Sequence, residues 1–155
     1  MKLPDHSRWS NPDNYRQHWS LRAAAAAELV PNGMSVLEIG TGTGFFRDYV
    51  QDRCIYVGAD LYPLDDTVLA INLDSDQLPE GKFDYVVLLG VFEYLHEAES
   101  AIDKVCSVST DVVCSYCCLP KCRLTARSYQ NRKKSGWVKR PMHTEVHALS
   151  KELVR

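Results

Sequence analysis

Residues 36–44, Val-Leu-Glu-Ile-Gly-Thr-Gly-Thr-Gly, constrain this chain more than any other stretch. A short apolar run enters an acid-x-Gly-x-Gly-x-Gly loop, and the chain is expected to resume as a helix at Phe45. Glycine can turn the backbone sharply and bring its N–H groups close to a ligand with no Cβ in the way. A helix starting there would point its positive end at the same spot, which suits a carboxylate or phosphate. The pattern implies a nucleotide- or nucleoside-binding turn between a strand and a helix.

The spacing narrows the ligand. A dinucleotide turn needs Gly-x-Gly-x-x-Gly. Counted from Gly40, its third glycine falls on Phe45, and Glu38 replaces the small or apolar residue such a site expects. No hydride-transfer partner is evident either, so a nicotinamide-dependent oxidoreductase is the weaker reading. The next apolar run, Cys54-Ile-Tyr-Val-Gly-Ala, ends in Asp60-Leu61. An acid at the tip of a second parallel strand, about 20 residues after the glycines, can accept both hydroxyls of a ribose. Then come Asn72-Leu-Asp-Ser-Asp-Gln-Leu-Pro79 and Phe83-Asp-Tyr-Val-Val-Leu-Leu-Gly-Val-Phe-Glu-Tyr-Leu95.

These four segments, in this order, resemble the class I S-adenosylmethionine-dependent methyltransferases of the small-molecule type, over roughly residues 15–115. The glycine loop is similar to that family's motif I, and Phe83-Asp84 to the usual opening of its fourth strand. The resemblance implies a three-layer Rossmann-like α/β fold with parallel strand order 3-2-1-4-5 and two further strands after the fifth. It also implies S-adenosyl-L-methionine as cofactor. Glu38 would orient the methionine end through its ammonium, and Gly40, Thr41, Gly42 and Gly44 would wrap it. Asp60 would hold the ribose and Leu61 would cover an adenine face. Leu73 and Asp74 would meet the adenine edge, Asp74 receiving the amino group, with Asp76 as the alternative. Gly90 matches the point where strand carbonyls meet the ammonium. Tyr15 and Trp19 either close over the methionine part or form an apolar helix face against the sheet.

The bulk properties agree with one globular domain over 1–155: a helical segment at 1–33, a cofactor-binding core at 34–118, and a basic loop with the start of a helix at 119–155. Apolar content of 45% and charged content of 25% are ordinary for a soluble domain. A net charge of −2 argues against a chain-wide nucleic-acid or membrane role. Met1-Lys-Leu-Pro-Asp-His lacks the apolar core of a secretory signal, and the longest apolar run, 85–92, is too short to cross a bilayer. A cytoplasmic setting follows, and disulfides are not expected there. Cys114, Cys117, Cys118 and Cys122 are closely spaced, but Cys114 lies in an apolar run that reads as a buried strand. Core packing is the preferred reading and no metal is expected, because a strand sends alternate side chains to opposite faces.

Asn11-Pro12 fits a helix start, and Tyr15, Trp19, Ala23, Ala26, Ala27 and Val30 recur at helical spacing. Strands are expected at about 35–39, 55–59, 68–71, 84–89 and 111–116, with helices over 43–52 and 97–107. Apolar strands separated by helices mean a parallel sheet covered on both faces. The end of the chain departs from the family. Ser150 reads as the cap of an amphipathic helix that stops after Arg155, so strands six and seven are absent or truncated. The fifth strand would then be an open edge. Truncation of a longer protein is favoured; a second copy covering the edge as a homo-oligomer is the alternative.

Methyl transfer from a sulfonium chiefly requires holding the acceptor against the methyl with water excluded. Catalytic residues are therefore less legible than cofactor residues. Tyr94 sits where relatives often carry His, and His96 follows shortly; either can approach an acceptor or simply start a helix. His143 and His147 would be i, i+4 partners on a helix and could line an acceptor pocket. Lys121, Arg123, Arg127, Arg132, Lys133, Lys134, Lys139 and Arg140 form a basic run with no acid between 112 and 144, with Tyr129 and Trp137 interleaved. A solvated loop is preferred over nucleic-acid binding there, and a small anionic acceptor stays open. The expected function is methyl transfer to a small-molecule acceptor. The alternative is a catalytically inactive, methyltransferase-like scaffold or partner subunit.

Overall fold

The computed structural model describes residues 19–115 and the backbone of 146–150. Its first element is helix α1, Trp19–Glu28. Alanine loses no side-chain entropy in a helix, which suits the run at 23–27. Ala23, Ala26 and Ala27, at i, i+3 and i+4, are buried together with Val30, while Leu21 faces outward. The Arg53 guanidinium closes this helix, donating to the carbonyls of Ala27 (2.6 Å) and Val30 (2.5 Å). A cation there satisfies end carbonyls and complements the helix dipole.

Strand β1, Ser35–Ile39, leads into the glycine loop, and α2, Arg47–Val50, follows it. β2 is Ile55–Asp60, β3 is Val68–Ala70 and β4 is Phe83–Leu89. A short 3-10 turn, Phe92–Tyr94, precedes α3, Ala98–Val108, and then β5, Ser109–Ser115. These five strands run parallel in the order 3-2-1-4-5, as the resemblance implied.

Side chains alternate across the sheet. Leu37, Ile39, Val86, Leu88, Val112 and Cys114 form one apolar layer with Ala101 and Val105 of α3. Val36, Val87 and Val113 point the other way, toward Phe46, Val50 and the α1 alanines. A strand apolar along its whole length is therefore one buried on both faces. Each buried Val or Leu contributes about 1.5–3 kcal/mol, so the two layers together, not any single contact, hold the sheet. Asp84 fixes β4 against β1: its Oδ2 accepts from the backbone N and Oγ of Ser35, both at 2.8 Å, and Ser35 Oγ accepts from Asp84 N at 2.9 Å. In that register Glu38 lies beside Val87 and Ile39 beside Leu88.

Two elements differ from the sequence expectation. The helix expected over 43–52 is only Arg47–Val50, with turns on either side. Gly42 and Gly44, at φ of 53° and 84°, are themselves outside the helical region, so a helix cannot run through 43–52. A helix of one turn has little macrodipole, so loop N–H groups and not a helix end face the ligand side.

The other difference lies after β5. Val146–Ser150 forms β6, antiparallel to β5, with Ser150 opposite Asp111 and Val146 opposite Ser115. This corrects the helix that Ser150 was expected to open, the absence of a sixth strand and the open edge. Pairing the N–H and C=O groups of an exposed strand outweighs one helix-capping preference. A second copy is no longer needed to cover that edge. His147 is on this strand, so it is not an i, i+4 helical partner of His143. Asn11-Pro12, Tyr15, Cys117, Cys118, Cys122, the basic run at 121–140 and His143 lie outside the described residues. Among the described residues, no helix is long and apolar enough to cross a membrane.

Candidate functional site

β1, β2 and β4 all end at one rim of the sheet, and a cavity of about 340 Å³ opens there. The glycine loop forms its floor. Gly40 sits at φ 85° and donates to the Ala59 carbonyl at 2.7 Å. A Cβ on Gly40 would lie 2.5 Å from Val91 Cγ2, so only glycine lets the loop pass the segment after β4.

Asp60 ends β2 and is 8% exposed. Its Oδ2 accepts from Gly42 N at 2.8 Å and from Thr41 Oγ1 at 3.4 Å, while Oδ1 accepts from Tyr62 N at 3.0 Å. Burial pushes this carboxyl up, and the Gly42 N–H and Thr41 hydroxyl pull against it. A carboxylate has about four acceptor positions, so further donors can still be received.

Glu38 follows Val36 by two residues and so shares its face, next to α1 and α2. It is 2% exposed and lines the cavity. Its Oε2 accepts from the Tyr56 hydroxyl at 2.6 Å. Burial above all pushes Glu38 up to about 8; the Tyr56 hydrogen bond lowers it and the Asp60 charge raises it again. Among the described residues, Glu38 is in no ion pair. A buried carboxyl on a cavity wall without a cation is matched by a cationic ligand group.

Most of the expected cofactor residues converge on this space: Glu38, Gly40, Thr41, Gly42, Asp60, Leu61, Leu73, Asp74 and Gly90 all line it, as do Trp19 and Tyr94. Gly44 does not. It serves the turn, taking the Thr41 carbonyl at 2.9 Å and lying against the Arg47 guanidinium. Asp74 is on the wall and Asp76 is not. Asp74 also accepts from His96 N (2.9 Å) and Glu97 N (3.3 Å), tying the loop after β3 to the start of α3. His96 meets Asp74 through its backbone and is not part of the wall.

Sequence reasoning missed Arg22. It projects from α1 into the cavity wall, donates from Nη2 to the Leu89 carbonyl at 3.0 Å, and lies 5.6 Å from the Trp19 ring centre. Its buried Nε has no hydrogen-bond partner. A Cβ on Gly90, at φ 77°, would come 2.9 Å from Arg22 Nη1, so glycine there makes room for the guanidinium. One signal was available: Arg22 is the charged residue three positions after Trp19, on the apolar stripe of an alanine helix. Glu93, in the 3-10 turn, is a second wall residue that was not singled out.

A sequence profile described as a methyltransferase domain matches residues 13–152. The chain belongs to that family. No curated protein matches it. Solved structures with the methyltransferase fold include N-methyltransferase NodS from Bradyrhizobium japonicum WM9, in complex with S-adenosyl-L-homocysteine. That match has 16% identity and a TM-score of 0.59, and covers 80% of this chain and 74% of NodS. Magnesium protoporphyrin IX methyltransferase ChlM from Synechocystis PCC 6803, with bound S-adenosylmethionine, matches at 18% identity and a TM-score of 0.56. It covers 81% of this chain and 77% of ChlM. The (4+2)-cyclase SpnF shares the fold at 17% identity and a TM-score of 0.53, over 70% of this chain and 49% of its own. The methyltransferase fold thus also occurs in a cyclase, and function follows from the site and not from the fold.

Proposed function

We propose that this methyltransferase domain binds S-adenosyl-L-methionine in the cavity at the ends of β1, β2 and β4 and transfers its methyl group to a small-molecule acceptor. The observation that carries this reading is that a buried carboxyl, Glu38, and a guanidinium, Arg22, line the same cavity and neither is in an ion pair among the described residues. That pair fits the ammonium and carboxylate of an amino-acid moiety. Asp60 fits a ribose diol, Leu61 and Leu73 an adenine face and edge, and Asp74 the adenine amino group. The glycine loop leaves space for the sulfonium nucleoside where a Cβ would close it.

When bound, the cofactor supplies an electrophilic methyl on sulfur, open to in-line displacement. The residues of the chain bind and orient: Glu38 and Arg22 fix one end, Asp60 the other, and Trp19 with Tyr94 narrows the mouth and sheds water. Tyr94 is the wall residue placed to touch an acceptor.

Calorimetric titration with S-adenosylhomocysteine tests the cofactor half, and binding is expected; absence of any heat or thermal stabilisation would remove the proposal. Incubating the protein with S-adenosylmethionine and a small-metabolite extract tests the transfer half. The expected result is S-adenosylhomocysteine formed above the extract-free control. The rival is a binding module that does not transfer. It is favoured by one observation: among the described residues, no histidine lines the cavity. Binding without turnover in any extract would select it.

A further inference from the structure

The β1–β2 pairing puts Val36 beside Tyr56 and Glu38 beside Gly58. Parallel neighbours point the same way, so Tyr56, Gly58 and Asp60 share the Glu38 face. Tyr56 starts two residues short of Glu38, and its ring runs along the strand to reach it. Gly58 opens the path: a Cβ there would lie 2.9 Å from the Tyr56 hydroxyl and 2.9 Å from Thr41 Cγ2. The hydroxyl ends 2.6 Å from Glu38 Oε2, the length of a hydrogen bond to a charged oxygen.

We propose that Tyr56 is a positioning residue for the ligand's ammonium group. Its hydroxyl locks the Glu38 carboxyl in one orientation, with the second oxygen left for the cavity, and Gly58 is the gap that lets it do so. The inference rests on the reading above, in which Glu38 receives that ammonium. It adds two residues that neither the glycine-loop motif nor the cavity wall contains.

The electrostatics agree. Burial and the Glu38 carboxyl push the Tyr56 hydroxyl far up, so it stays a donor at any working pH. Its hydrogen bond favours the charged form of Glu38, against burial and the charges of Asp60 and Asp48, with Arg47 assisting. Arg22 faces the same cavity from α1, and β4 presents only Val87 opposite Glu38. Without the tyrosine hydroxyl, Glu38 would ionise at higher pH and lose its fixed direction.

The test compares two ligands on wild-type protein, Tyr56→Phe and Gly58→Ala by calorimetry between pH 6 and 9. S-adenosylhomocysteine carries the amino-acid moiety; 5′-methylthioadenosine is the same nucleoside without it. Tyr56→Phe should bind S-adenosylhomocysteine about 10- to 100-fold more weakly and 5′-methylthioadenosine within about 2-fold of wild type, whereas Gly58→Ala, whose Cβ also meets Thr41 beside Asp60, should weaken both ligands. Wild-type affinity for S-adenosylhomocysteine should rise with pH toward about 8 as Glu38 ionises, and in Tyr56→Phe that rise should move to higher pH. The ligand's own amino titration is common to both proteins and cancels in their ratio. Equal weakening of both ligands by Tyr56→Phe would make Tyr56 merely structural, and undiminished S-adenosylhomocysteine binding by that variant would also overturn the inference. If wild-type protein binds neither ligand, the cofactor reading itself falls.

Discussion

The two ends of the cavity are built on opposite principles. At the β2–β3 end the acids are well supplied with donors. Asp60 takes bonds from Gly42 N, Thr41 Oγ1 and Tyr62 N, and Asp74 from the backbones of His96 and Glu97. At the β1–β4 end, Glu38 has one hydroxyl and Arg22 has one carbonyl and an aromatic ring. The first end is complete as a folded structure and receives a ligand through remaining lone pairs. The second holds a buried carboxyl and a guanidinium with few partners among the described residues, and under the proposed reading a ligand's ammonium and carboxylate supply them. Under the proposed reading, a cavity whose ends differ in this way has a direction, with the nucleoside at one end and the amino-acid moiety at the other.

The largest effect is expected where both ends depend on the same backbone. Gly40→Val places a side chain at φ 85° and against Val91, and should destabilise the protein by about 2–6 kcal/mol and eliminate S-adenosylhomocysteine binding. Urea unfolding and calorimetry measure the two. A variant that folds normally and still binds would show that the loop does not form the floor of the site.

A pH experiment isolates the under-partnered end. Glu38 sits at about 8 in the folded protein against 4.5 in its absence, so its neutral form is the one that fits the unliganded fold. Its contribution is fully present below about 4.5 and is lost as pH rises toward 8. Glu38→Gln should therefore match wild type at pH 4.5 and be more stable at pH 8.5 by on the order of 2–4 kcal/mol, without ligand. Thermal melts across that range decide it. With saturating S-adenosylhomocysteine the order should reverse, because only the carboxylate can pair with an ammonium. If the unliganded melts of the two proteins run parallel in pH, Glu38 is better solvated or better partnered than its surroundings indicate.

At the well-supplied end, Asp60→Ala should weaken S-adenosylhomocysteine by about 1.5–3 kcal/mol, the value of charge-assisted bonds to a diol. That variant also strips an acceptor from Gly42 N and Tyr62 N, so some loss of stability should accompany it. Unchanged affinity, measured at a temperature where the variant is folded, would contradict the ribose assignment.

The difference between the two ends also explains what was legible in the sequence. Glu38, the glycines and Asp60 are visible because a strand, a loop and the next strand tip place them locally, at fixed spacing. The five parallel strands are visible for the same reason, since burial on both faces makes each one a continuous apolar run. Arg22 and Tyr56 are not visible. One is a lone charge on the apolar stripe of an alanine helix and the other a strand aromatic; Arg22 meets the cavity and Tyr56 meets Glu38 only when α1 and β2 pack beside β1. β6 was hidden in another way, because the preference of Ser150 for a helix cap is local while the edge it pairs with lies more than 30 residues earlier. Gly44 shows the converse, a motif position that serves the turn and not the wall.

The smallest effect is expected at Arg47, which supplies the control for the whole comparison. Arg47 Nη1 lies 2.9 Å from Asp65 Oδ2, the same kind of charges as at the β1–β4 end, but the two side chains are 28% and 42% exposed. Asp65 is held down to about 2 first by the Thr67 hydroxyl and then by Arg47, so the loop carries its own support. Water and salt screen such a pair, and ordering two long side chains offsets most of its attraction. Arg47→Ala should move the melting temperature by less than about 2 °C and S-adenosylhomocysteine affinity by less than about 2-fold. An effect as large as that of Tyr56→Phe would mean that exposure is not what separates consequential charges from incidental ones in this protein. The contrast between the ends of the cavity would then lose its physical basis.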